Sequence, residues 1–65
     1  MNKITIAVLY GGISPEHEVS VHSAEDVCKV LTKKHRILPI YISKEGDFFL
    51  QQTCGFKKPT DIKVN

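Results

Sequence analysis

Residues 11–20 read Gly-Gly-Ile-Ser-Pro-Glu-His-Glu-Val-Ser and join an apolar run, Ile4 to Tyr10, to an amphipathic one, Ala24 to Leu31. A strand that ends in two glycines and hands over to a helix leaves free N–H groups, and the positive end of the helix, at the sheet edge. Gly11 and Gly12 can take φ > 0 and let a ligand approach the backbone with no Cβ in the way. Taken alone, that is a place for an anion. No Lys follows the glycines, however, and no third glycine completes a dinucleotide fingerprint. What does follow is a carboxylate, Glu16. The helix dipole favours its negative form there by about 0.3–1 kcal/mol. A fixed carboxylate beside a glycine turn suits a cation, above all the ammonium of a small substrate.

The neighbouring polar residues carry less. His17 has no second ligand at metal spacing and reads as a surface or supporting histidine, and Glu18 as solvated or salt-bridged. Glu16 and Glu18, two apart on a helix, do not face one another as an acid–base pair would. His22 and His35 draw no role, and no metal-ligand set is written in the chain.

The elements that must hold the decapeptide can be read on either side of it. Ile4 to Tyr10 is apolar throughout, which predicts a central strand covered on both faces, with the glycine turn at its ligand-binding C-terminal end. Two helix starts compete: Ser14 before Pro15, and Ser23-Ala24-Glu25-Asp26 as a capping box. The reading adopted is a helical turn near residues 15–18 leading into a helix over about residues 20–32. Ala24, Val27, Cys28 and Leu31 then form its buried stripe. Residues 36–43 make a second strand whose Pro39 restricts it to a peripheral place or to pairing on one side. Lys44-Glu45-Gly46-Asp47 is a turn, and Phe48-Phe49-Leu50 a short returning strand. Beyond Gln51 the pattern fades into loop or linker, with Ile62 and Val64 hinting at another strand. The expected architecture is α/β: a Rossmann-like parallel-sheet domain seen as one βαβ unit plus a short hairpin.

Sixty-five residues make one small unit that buries only about 60% of its unfolded surface. Two parallel strands and a stub leave an open edge and a bare face, so the chain reads as the N-terminal part of a longer protein. A net charge of +2, with scattered lysines, argues against nucleic acid or a membrane surface as partner. No run reaches the roughly 20 apolar residues of a membrane span, and no signal peptide is apparent, so a cytoplasmic location is expected. Cys28 and Cys54 lack metal spacing and are expected as free thiols in a reducing compartment.

Residues 11–20 resemble the N-terminal signature of the D-alanine–D-alanine ligases, Gly-Gly-x-Ser-x-Glu-x-x-Val-Ser. The flanking runs 3–10 and 39–50 resemble that family's first strand and its second strand with the following hairpin, so the likeness covers about residues 3–50. The resemblance implies a three-domain, pre-ATP-grasp plus ATP-grasp enzyme that joins two D-alanines through an acyl phosphate, for the peptidoglycan of the cell wall. It implies ATP and Mg²⁺ (or Mn²⁺) as cofactors, bound by domains absent from this chain, and leaves a homodimer open. Its partners would be D-alanine and the remainder of the ligase chain. Glu16 would contact the ammonium of the first D-alanine, with Gly11 and Gly12 beside it. Val19 and Ser20 would wall the pocket for the methyl group, although Val19 could equally pack in the core and Ser20 could bond back to the turn. Two other readings stay open: a ligase taking D-lactate as second substrate, and a non-catalytic α/β module binding an anion at Gly11-Gly12.

Overall fold

A computed structural model describes residues 3–65. Strand β1 (Thr5–Gly11) leads through the glycine turn into helix α1 (His17–Leu31). Strands β2 (Arg36–Ile42), β3 (Phe48–Leu50) and β4 (Ile62–Val64) follow. β1 and β2 run parallel, from Thr5 opposite Arg36 to Gly11 opposite Ile42. β3 and β4 are added antiparallel, giving a mixed sheet of order β1-β2-β3-β4 with α1 on one face. The expected α/β architecture and βαβ unit are therefore present.

Among the described residues β1 pairs with β2 alone and ends the strand order, while its composition suggests a central place in the sheet. Its residues alternate in burial: Val8 and Tyr10 face the helix, while Ala7 and Leu9 lie on a bare face, Leu9 being 56% exposed. Uniform apolarity reports what a strand tolerates on both faces, whereas actual cover depends on the elements that pack there. Pro39 fits its place. The carbonyl of Pro39 accepts from Gln51 N–H (3.0 Å) on the β3 side. The missing N–H therefore lies on that side, at the end of β3, and leaves the ladder to β1 intact.

The helix begins at His17, and Ser23 lies inside it. Its buried residues are His17, Val21, Ala24 and Cys28, spaced i, i+4, i+7, i+11. This stripe is rotated from the expected one, because Val27 is 47% exposed. Val21 and Ala24 pack against Tyr10 and Tyr41, with Val8, Phe49 and Cys54 at the margin. Opposite one another in the β1–β2 register, the two tyrosine rings meet edge to face at 5.9 Å.

The stretch after Gln51 has no helix or strand until β4, which holds the Ile62 and Val64 that hinted at one, and side-chain bonds tie it down. Gln51 is buried, and its amide donates to the Asp61 carboxylate (2.8 Å) and the Phe56 carbonyl (3.2 Å). Its amide oxygen meets the Tyr10 hydroxyl, which also accepts from Gly55 N–H (2.7 Å). Beyond this network β4 completes the sheet. The expectation of two free thiols is overturned: Cys28 and Cys54 form a disulfide, with Cα atoms 6.6 Å apart. The loop brings Cys54 onto the helix face that carries Cys28, a proximity that a 26-residue separation does not reveal.

Closing a loop of that length restricts the unfolded chain, so reduction should lower stability by about 3 kcal/mol. Urea unfolding of the chain with and without reductant measures this. Unchanged midpoints, or thiol labelling of the denatured, unreduced chain, would show that the bridge is not formed.

Candidate functional site

At the C-terminal end of β1 both glycines are left-handed, with φ 91° at Gly11 and 97° at Gly12. The β1–β2 ladder continues into the turn through a bond from Gly12 N–H to the Ile42 carbonyl (2.8 Å). At Gly11 a Cβ would collide with that same carbonyl and stand 3.2 Å from the His17 ring, whereas at Gly12 it would meet nothing within 4 Å. The first glycine is thus required by close packing as well as by φ, the second by φ alone.

Ser14 turns the chain into the helix. Its hydroxyl accepts from Glu16 N–H (3.0 Å), and its carbonyl from His17 N–H (3.0 Å). Glu16 then stands at the N-cap without capping through its side chain. It is exposed, and among the described residues its carboxylate has neither a hydrogen bond nor an ion pair. Helical spacing puts Val19 and Ser20 on the same side as Glu16, and Ser20 N–H bonds the Glu16 carbonyl at 2.9 Å. Of the two roles open to Ser20, the structure shows back-bonding, its Oγ accepting from Gly11 N–H at 2.9 Å. Val19 is 59% exposed, which excludes core packing in this chain and leaves its side chain beside Glu16. Gly11, Gly12, Glu16, Val19 and Ser20 therefore converge on one corner.

His17 is the residue that the sequence undervalued. Instead of lying at the surface it is 2% exposed, its Nδ1 2.5 Å from the Gly12 carbonyl and its Nε2 2.8 Å from the Tyr41 hydroxyl. Its i, i+4, i+7 spacing to Val21 and Ala24 was the available signal, masked because a histidine does not count as apolar. Burial raises the hydroxyl pKa of Tyr41 above its ordinary value, and does the same at Tyr10.

The corner does not suit the phosphates of a nucleotide. The N–H groups of Gly11 and Gly12 are committed to Ser20 and Ile42, no lysine belongs to the turn, and Glu16 would repel a phosphate. Among the described residues no three His, Cys, Asp or Glu side chains gather as a metal site. A cleft of about 290 Å³, lined in part by Cys28, Lys29, Pro39 and Cys54, contains none of the corner's residues. Among the described residues no helix is long and apolar enough to cross a membrane.

Comparison with known proteins adds independent information. The family model for the D-ala D-ala ligase N-terminus matches residues 5–64. The D-alanine–D-alanine ligase of Chloroherpeton thalassium is 53% identical over 47 residues, which cover 71% of this chain and 13% of that protein. That of Chlorobium phaeovibrioides is 42% identical over 63 residues, covering 95% of this chain and 18% of that protein. Among solved structures, the VanG D-Ala:D-Ser ligase from Enterococcus faecalis superposes with a TM-score of 0.71 at 38% identity. That match covers 78% of this chain and 15% of the other. The chain thus spans less than a fifth of the length of the relatives it matches.

Two expectations follow from the geometry. Gly12→Ala should cost about 1–2 kcal/mol for left-handed backbone, and Gly11→Ala more because the Ile42 carbonyl must also move. Denaturant midpoints of the two variants give the order; equal costs would contradict the packing. The second expectation concerns alkaline pH. A folded tyrosine with a raised pKa holds its proton where the unfolded one, near 10.0, has lost it. Its stabilisation is therefore complete below about pH 10 and lost as pH rises through the folded value. Urea midpoints should fall above about pH 10, and less so in Tyr10→Phe.

Proposed function

The chain belongs to the D-alanine–D-alanine ligase N-terminal family, and from that premise we propose that it forms the substrate-orienting part of an ATP-dependent ligase joining two D-alanines. The product would be the dipeptide used in peptidoglycan synthesis in the cytoplasm. The supporting observation is the Glu16 carboxylate, unpartnered at the first turn of α1 beside an open left-handed glycine, with Val19 on the same side. An ammonium placed there gains a charge-assisted hydrogen bond, and a methyl group beside it meets Val19. ATP and Mg²⁺ would be held by parts of the ligase outside these residues, and the ATP would supply the phosphoryl group that activates the carboxylate of the first D-alanine. The work of this segment is to bind and orient the first amino acid.

The anion-binding alternative loses support because the two glycine N–H groups already have internal acceptors. The second substrate would be chosen elsewhere in the enzyme. In support, a neighbour that is a D-Ala:D-Ser ligase shares this segment's fold with relatives that are D-alanine–D-alanine ligases. A D-lactate-using ligase would leave the same first-substrate corner unchanged.

The test is Glu16→Gln in the full-length ligase that carries this segment. Loss of a desolvated ion pair should cost about 3–5 kcal/mol in kcat/KM for D-alanine. A change below about tenfold would show a solvated glutamate outside the substrate site. The 65-residue chain alone should show no turnover with ATP and D-alanine, and measurable dipeptide would refute the division of labour.

A further inference from the structure

One buried titratable side chain makes none of the substrate contacts proposed above. The His17 ring lies with Nδ1 2.5 Å from the Gly12 carbonyl and Nε2 2.8 Å from the Tyr41 hydroxyl. A carbonyl oxygen can only accept, so Nδ1 carries the hydrogen. In the uncharged ring Nε2 is then an acceptor, and the Tyr41 hydroxyl donates to it. The tautomer is thus fixed from both ends. The ring also stands edge-on to Tyr41, at 5.3 Å and 87°, and fills the space beside Gly11 where a side chain would otherwise project.

What this holds is a peptide plane. The peptide bonds are trans, so pointing the Gly12 carbonyl at His17 sends the Ile13 N–H the opposite way. Two successive glycines, at φ 91° and 97°, have no Cβ to select this orientation over a flipped one. A buried donor makes the selection instead. Glu16 immediately precedes His17, and its backbone hangs from the same turn through Ser14. A turn that sampled several conformers would present the carboxylate correctly for a fraction of the time, and apparent affinity would fall by that fraction.

We propose that His17, as its Nδ1–H tautomer set by Tyr41, is a positioning residue that locks the Gly12–Ile13 peptide and thereby the placement of Glu16 for the substrate ammonium. The inference rests on the reading of Glu16 as the ammonium contact.

Two substitutions in the full-length ligase separate positioning from packing. His17→Asn keeps an amide donor close to where Nδ1 stands, whereas His17→Gln reaches toward the Nε2 position and leaves the Gly12 carbonyl unpaired. His17→Gln should raise KM for the D-alanine held by Glu16 about tenfold, roughly one hydrogen bond, with kcat changed less than about twofold. His17→Asn should restore most of that loss. Thermal unfolding of both variants removes any part due to folding. Equal KM values in the two variants, or KM rising only in step with lost stability, would reduce His17 to a packing group and overturn the proposal. Nitrogen-15 NMR of the ring provides a readout apart from activity: an Nε2–H tautomer overturns the proposal, an Nδ1–H tautomer supports it. If Glu16→Gln leaves KM unchanged, the substrate reading itself falls. If Glu16→Gln is damaging while both His17 variants behave as wild type, only the positioning role falls.

Discussion

The bond from Gly12 N–H to the Ile42 carbonyl is the constraint on which the site depends. It carries the parallel ladder past the end of β1 and into the turn, so that the backbone leaves the sheet while still tied to it. The tie is possible because Gly11 has no side chain: the Ile42 carbonyl and the His17 ring occupy the space that one would need. From that point the chain enters the helix through Ser14, whose hydroxyl and carbonyl accept from the N–H groups of Glu16 and His17.

Tyr10 and Tyr41 link this corner to the rest of the fold. They face each other across β1 and β2, share one edge-to-face contact, and send their hydroxyl groups in different directions. Tyr10 bonds the irregular stretch at Gly55 and Gln51, while Tyr41 bonds His17. A small core of Tyr10, Val21, Ala24 and Tyr41 is thus extended by polar anchors at its two ends. Each hydroxyl has a partner, as burial requires, since an unpaired one would cost about 1–3 kcal/mol. The same pair therefore orders residues 51–61, where apolar periodicity is lacking, and the glycine turn, where function is proposed.

Much of this was legible in the sequence because local rules carry it. The apolar runs gave β1 and β2, the serine and proline marked the helix entry, and the turn at residues 44–47 forced the hairpin. What escaped was set by partners distant in the chain. His17 reads as polar until Tyr41, 24 residues on, supplies its second bond. Cys54 reads as a loop thiol until the Tyr10 and Gln51 network folds that loop onto α1. The helix stripe differs from the expected one for the same reason: it shares Ala24 and Cys28 but runs through His17 and Val21 instead of Val27 and Leu31, because counting His17 as polar shifts the apparent apolar face toward Val27. The cover of β1 is of another kind: composition says which faces a strand could bury, and only neighbours decide which it does.

The electrostatic character of the corner follows from how completely its other groups are paired. Gly11 N–H, Gly12 N–H, the Gly12 carbonyl, Ser14 Oγ and Ser20 Oγ each have an internal partner. A turn of the same shape with its N–H groups free would attract phosphate, as glycine turns at helix starts commonly do. Here the backbone donors are consumed in building the turn, and the carboxylate of Glu16 has no partner among the described residues. In the proposed role its sign would select an ammonium over an anion, and the rigidity of the bonds behind it would limit the conformational freedom lost on binding. Under that proposal, a motif built like an anion site would favour a cation because its backbone donors are paired internally while the Glu16 carboxylate is not.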